Sequence, residues 1–312
     1  MEVIETANLR RRAPAGGGPR SAGNLLADWR WTAQDLPRLA ARERADLIHH
    51  PLPAHARFTT VPQVITVHDL SFERLPQYFA PAFRRFAHRS HRAAALSADA
   101  VICVSETTAS DASELWRVPA ERIVVAPHGP GQPLPSPYRP RLGNEHFLYV
   151  GDDEPRKNLD TLLAAHRIYR DATGGTVPLV LAGSVDRGES GVLVERQPSN
   201  QRLAELYAGA VALVQPSRYE GFGMTALEAM SVGTPVIAAS APGLLEVCGD
   251  AAIYVDPSDA QGLAVAMARI AADPELRGEL SDRGRQRASS FSWPASAQSH
   301  LKAYELALAR SR

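Results

Sequence analysis

Two glutamates eight residues apart, Glu220 and Glu228, carry the most chemistry in this sequence, because they lie within the string Tyr219-Glu220-Gly221-Phe222-Gly223-Met224-Thr225-Ala226-Leu227-Glu228-Ala229-Met230. The first falls in a glycine-rich turn after the apolar run 210–215, the second one to two turns into the apolar helix that follows. Gly221 and Gly223 let backbone N–H groups approach a ligand, and a helix beginning near Met224 or Thr225 turns its positive end toward an anion. The turn formed by Gly221, Phe222, Gly223, Met224 and Thr225 therefore suits a phosphate. Glu220 is then placed for sugar hydroxyls just in front of the helix, and Glu228 for the hydroxyls of a ribose. A lone glutamate in a helix is usually solvated and many such turns are merely tight, so neither glutamate alone would mark a site; the whole string does.

A second segment supplies the opposite charge. In Tyr149-Val150-Gly151-Asp152-Asp153-Glu154-Pro155-Arg156-Lys157-Asn158-Leu159 a glycine ends an apolar run and two cations precede a helix. Cations at a helix start oppose its macrodipole, and a diphosphate between them accounts for their position. No two aspartates are spaced D-x-D, so the usual Mg²⁺ bridge to a sugar-nucleotide diphosphate has no candidate ligands. Charge on a leaving diphosphate then falls to Lys157, Arg156 and the amides around Gly223 to Thr225. His49, His50 and His55 have no carboxylate in helical register, and no metal site is expected there. The segment 79–96 sets Phe79, Phe83 and Phe86 on one helical stripe and Arg84, Arg85, His88, Arg89, His91 and Arg92 on the others. It reads equally as a basic helix lying on an anionic membrane and as a core-packed helix with a solvated polar face.

The elements that must position these residues are alternating apolar runs and helical segments. Runs at 46–50, 63–68, 100–105 and 122–126, then at 146–151, 177–183, 191–196, 210–215, 234–240 and 251–255, predict two sets of βα units feeding parallel sheets. Between them, residues 127–140 hold six prolines and two glycines, the composition of a linker. Residues 1–24, with three consecutive arginines and three consecutive glycines, are expected to be mobile and receive no element. With 34 basic and 34 acidic residues the chain lacks the electrostatic footprint of a nucleic-acid binder. Cys103 and Cys248 form no metal or disulfide pattern, which fits a cytoplasmic protein. No apolar stretch approaches the ~20 residues of a membrane span, so any membrane contact is expected to be peripheral, at the inner face.

The string around Glu220 resembles the glutamate–seven–glutamate signature, in its EGFG…LEAM form, of the family 4 glycosyltransferases of the group 1 type. Pro155-Arg156-Lys157-Asn158 resembles the PRKN block of that family. Thr66-Val67-His68-Asp69-Leu70 resembles its first-domain strand whose histidine faces the reacting sugar, and Phe291-Ser292-Trp293 the point where a terminal helix crosses back. The resemblance implies an α/β fold of the GT-B kind, two Rossmann-like domains facing a cleft. They would be an acceptor domain at 25–135, a nucleotide-sugar domain at 141–292 and a crossing helix at 293–312. It also implies a retaining, metal-independent hexosyltransferase of polysaccharide biosynthesis that uses a UDP- or GDP-sugar, with a glycan, lipid-linked or small-molecule acceptor. Glu220, His68 and Lys157 would act at the reacting centre, and Glu228, Arg156 and the turn from Gly221 to Thr225 would hold the donor. Two departures stand out. Asp152 occupies the place where many relatives carry an arginine. The first domain of the family opens with a strand, a glycine-rich loop and a helix, whereas the first strand here comes near Asp46, which implies a domain without that opening unit. These departures keep open a non-catalytic binding subunit and, further off, another GT-B enzyme such as an epimerase or a glycoside phosphorylase.

Overall fold

The apolar runs form two parallel sheets in the computed structural model, which describes residues 2–11, 19–131, 145–175 and 177–310. In the first sheet, β1 (Ile48–His50), β2 (Gln63–Val67), β3 (Ala100–Cys103) and β4 (Ile123–Val125) lie side by side in chain order. Its helices are α1 (Pro19–Arg30), α2 (Leu36–Arg42), α3 (Ser71–Arg74), α4 (Pro81–Ser97) and α5 (Glu106–Trp116). Successive strand residues point to opposite faces. Ile65, Val67, Val101 and Cys103 therefore pack with Phe72, Ala87, Ala95 and Trp116 on one face, while Val64, Ala100 and Ile102 meet Ala303 and Ala307 on the other.

The second sheet holds β5 (His146–Val150), β6 (Leu179–Gly183), β7 (Val192–Arg196), β8 (Ala210–Gln215), β9 (Val236–Ala239) and β10 (Ala252–Val255), in the order β10-β9-β8-β5-β6-β7. Around it lie α6 (Leu159–Thr173), α7 (Asn200–Gly209), α8 (Met224–Val232), α9 (Pro242–Cys248), α10 (Ala260–Ala272) and α11 (Pro274–Ala288). Phe147, Tyr149, Leu181 and Val214 face α6 and α10, whereas Leu148, Val180, Leu213 and Ala238 face α7, α8 and α9. Helices on both faces of a parallel sheet bury nearly all of β5, β6, β8 and β9, which is why these strands read as continuous apolar runs, while the edge strands β7 and β10 stay partly exposed. After β7 the chain returns to the other side of β5 to lay down β8, so the order reverses between β5 and β8. Ligands of such sheets bind outside the strand carboxyl ends at this reversal. The last helix, α12 (Trp293–Arg310), leaves the second sheet and supplies Ala303 and Ala307 to the first.

Several expectations change. The stretch read as mobile through residue 24 is helical over its last described part, in α1. Within the same stretch Asn8 donates to Asp28 at 3.0 Å and Arg10 pairs with Asp35. The proline-rich linker is described only to Gly131, and the rest of it lies outside the described residues. From Pro81 the segment 79–96 is one helix with a core-packed face and an exposed face. Ala87, Ala94 and Ala95 of α4 are buried, while Phe83 and Phe86 remain 47% and 49% exposed beside Arg85 and Arg89. Among the described residues no helix is long and apolar enough to cross a membrane.

Candidate active site

The two charged segments of the sequence leave the carboxyl ends of β5 and β8, on either side of the reversal. Asn158 fixes the first. It sits in the left-handed region (φ 62°), buried, with its amide donating to Pro216 O at 3.0 Å and Pro257 O at 2.6 Å, and Thr161 Oγ1 donates to its Oδ1 at 2.9 Å. The loop after β5 is thereby tied to the loops after β8 and β10, and the two preceding cations are aimed at the reversal. Lys157 Nζ donates to Glu220 Oε1 at 2.7 Å, Arg156 Nη1 reaches Glu220 Oε2 at 3.4 Å, and Gln215 Nε2 donates to Glu220 Oε1 at 2.8 Å. Burial opposes ionisation of the Glu220 carboxyl, but Lys157 and then Arg156 outweigh it and hold it below the usual carboxylate range.

Arg156 is shared with Glu154 at 2.7 Å. Two cations thus face two carboxylates, and the loop carries no net positive charge of its own. A diphosphate here must draw on the N-terminus of α8, whose first N–H groups have no acceptor within the helix. Gly223 starts that helix with φ 112°, a conformation L side chains rarely adopt, and Thr225 Oγ1 is anchored to Gln215 Oε1 at 3.1 Å. Met224 packs partly buried against the core.

Two residues of the turn are placed for other tasks. A Cβ on Gly221 would lie 2.0 Å from His68 O, so this glycine is the point where the first sheet's β2 loop touches the turn. Phe222 is buried in the second core, and its ring lies edge-on to His128 at 5.4 Å. Its side chain packs, leaving only its backbone for a ligand. His68 is exposed, with its Nε2 donating to Pro51 O at 2.9 Å. Glu228 sits one turn further along α8, where Tyr207 donates to its Oε2 at 2.8 Å and a Cβ on Gly131 would fall 1.7 Å from its Oε1. Burial pushes its pKa up, partly opposed by the Tyr207 hydrogen bond.

Residues 135–287 match the family described as glycosyl transferases group 1, and residues 5–129 match glycosyltransferase family 4. The O-antigen chain mannosyltransferase B of Escherichia coli is 31% identical over 290 residues, covering 86% of this chain and 76% of that protein. The chain belongs to the family 4 glycosyltransferases. A mannosyltransferase of Mycolicibacterium hassiacum, MMP alpha-(1->4)-mannosyltransferase, is 33% identical over 228 residues, 67% of this chain, which spans 54% of that protein's length. Among solved structures, a sucrose-phosphate synthase from Thermosynechococcus elongatus superposes with a TM-score of 0.73 at 25% identity, over 88% of this chain and 77% of that one. Anabaena HepE in complex with UDP and glucose superposes at 0.70 over 94% and 84%, and at 19% identity that likeness is one of fold alone. These neighbours have the GT-B architecture expected from the resemblance.

Further polar residues complete the site of this glycosyltransferase, although their role was not read from the sequence. Gln215, fully buried, links Glu220 to Thr225, and a polar residue closing the apolar run 210–215 was the available signal. Tyr207 and Gly131 meet Glu228 from distant parts of the chain and gave none. The two domains of the glycosyltransferase are held around the turn by buried polar bonds. Tyr219 donates to Asp111 Oδ2 at 2.6 Å and accepts from Leu70 N at 3.3 Å, while Thr108 Oγ1 and Ser105 Oγ both donate to Gly221 O. Glu246 of α9 caps α5 from across the cleft, accepting from Glu106 N at 2.8 Å and from Thr107 N and Oγ1 at 2.9 Å each.

Proposed function

We propose that this glycosyltransferase transfers a hexosyl group from a UDP- or GDP-sugar with retention and without a metal, the sugar lying between Glu220 and His68. The observation that carries this reading is the Lys157–Glu220 pair at the sheet reversal, with His68 brought across to the same turn through Gly221. Glu220, kept ionised by its cations, accepts from sugar hydroxyls. Lys157, Arg156 and the first amides of α8 take the growing charge of the diphosphate as the bond from the anomeric carbon to its oxygen breaks. The acceptor oxygen bonds to that carbon from the same face, and its proton passes to the departing diphosphate. Glu228 holds the ribose. His68 is committed at Nε2, since a carbonyl can only accept, and in the tautomer with its proton on Nε2 the ring offers Nδ1 as an acceptor to a sugar hydroxyl.

The names of these two relatives favour a mannosyl donor, and that of the first a glycan chain as acceptor. The outward face of α4 supports peripheral work at the inner, cytoplasmic face of a membrane: Phe83 and Phe86 stand among Arg85 and Arg89, for which no carboxylate partner is found among the described residues. Purified protein incubated with a panel of UDP- and GDP-hexoses, in EDTA, tests the reading. Turnover with the anomeric configuration of the donor kept in the product, by NMR, is expected. Inversion, or activity only with added divalent cation, would contradict it.

A further inference from the structure

His128 follows β4 and stands where three parts of the molecule meet. Its ring stacks on His68 at 5.7 Å and 24°, meets Phe222 of the signature turn edge-on at 5.4 Å, and leans on Trp293 of α12 at 5.4 Å. A phenylalanine would make the same three contacts, so packing alone does not account for an imidazole. The nitrogens even weigh against one, because Nδ1 is buried with no hydrogen-bond partner, and an unpaired buried polar atom is destabilising. A buried N–H without a partner is rarer than a buried acceptor without one, which puts the proton of the neutral ring on Nε2. Burial, with His68 and His300 nearby, holds this ring neutral by lowering its pKa to about 4. Nε2–H makes no hydrogen bond to any described residue.

Beside it, His68 presents the complement. Its Nε2–H is used on Pro51 O and its Nδ1 is an open acceptor. A donor and an acceptor on two stacked imidazoles suit one hydroxyl group, which can give its hydrogen to one ring while its oxygen accepts from the other. Phosphate would be a poor occupant, because an unprotonated Nδ1 repels an anionic oxygen.

We propose that His128 is a substrate contact of the glycosyltransferase, its Nε2–H donating to the oxygen of a hydroxyl of the transferred hexosyl group while that hydroxyl donates to His68 Nδ1. His128 thereby becomes a specificity residue for that hydroxyl. The proposal rests on the nucleotide-sugar reading above.

Monodeoxy versions of the donor that the wild type uses, compared with the parent sugar in wild type, His128→Phe and His128→Gln, test it. A site built around a hydroxyl rejects the analogue lacking it, so one monodeoxy donor is expected to lose about tenfold or more in kcat/KM with the wild type. In His128→Phe that preference is expected to fall below about threefold, and His128→Gln, which keeps an N–H donor, to recover part of it. Affinity for the free nucleoside diphosphate should stay within about twofold and the melting temperature of His128→Phe should not fall, since the change removes an unpaired buried nitrogen. Full wild-type preference in His128→Phe would overturn the inference while leaving the function standing. A wild type that neither binds nor uses any nucleotide sugar would overturn both.

Discussion

Glu220 is subject to two opposed demands. Its carboxylate must be dry enough to orient hydroxyls as the glycosidic bond breaks, yet burial alone would protonate it. Lys157 at 2.7 Å resolves the conflict, so the lysine sets the charge of its neighbour as well as facing the diphosphate. Replacing Lys157 by Met removes the strongest influence opposing burial, and the carboxyl pKa is expected to rise. If Glu220 works ionised, as proposed, the acid limb of the kcat/KM profile of Lys157→Met is expected to move to higher pH. A profile that merely drops in height, with its acid limb unmoved, would show that Lys157 acts on the diphosphate alone.

At the scale of elements, the strands and both chemical loops were legible because each is specified locally. Apolar runs such as 146–151 and 210–215 are strands buried on both faces, and the glycine before Met224 marks a helix start. What was not legible depends on segments far apart in the chain. Gly131 reads as one more linker glycine, yet it presses on the carboxylate of Glu228, and Asn158 reads only as the last residue of the PRKN block although its amide joins three loops. The burial of the Phe222 side chain was not legible either, since a turn followed by an apolar helix does not reveal which of its side chains the neighbouring sheet will cover. The contact at Gly131 has a consequence for binding. A methyl group there must displace Glu228 from the ribose, so Gly131→Ala is expected to raise donor KM about tenfold with kcat within about twofold. In the Gly131→Ala, Glu228→Gln double variant the second change should add little, because both remove one interaction. Full additivity would separate Gly131 from the ribose contact.

The whole molecule is closed by α12 and by buried polar bonds across the cleft. His49 ties α12 to the first sheet, with Nδ1 at 2.9 Å from the Tyr304 hydroxyl and Nε2 at 2.9 Å from Thr66 Oγ1. Burial, with His300 and other histidines nearby, lowers its pKa from 6.5 to about 4. The unfolded chain therefore binds a proton at His49 that the folded one refuses between those values. Stability is full above about pH 6.5 and declines as the pH falls toward 4. The difference in melting temperature between wild type and His49→Gln should accordingly shrink from pH 7 to pH 4.5, and a difference independent of pH would place the charged imidazole in the native state. The same closure sets the backbone of His68 against Gly221, next to Glu220, and in the proposed mode those two face one sugar while Glu228 holds the ribose. Calorimetric titration of the free nucleoside diphosphate, in EDTA, into wild type, Glu220→Gln and Glu228→Gln tests this division most directly. Losing hydrogen bonds to a charged group costs about 1.5–3 kcal/mol, so Glu228→Gln should weaken binding about ten- to a hundredfold. Glu220→Gln, which removes a negative charge beside Lys157, should bind as tightly as wild type or more so. Equal weakening of both variants would contradict the assignment of one carboxylate to the sugar and the other to the ribose.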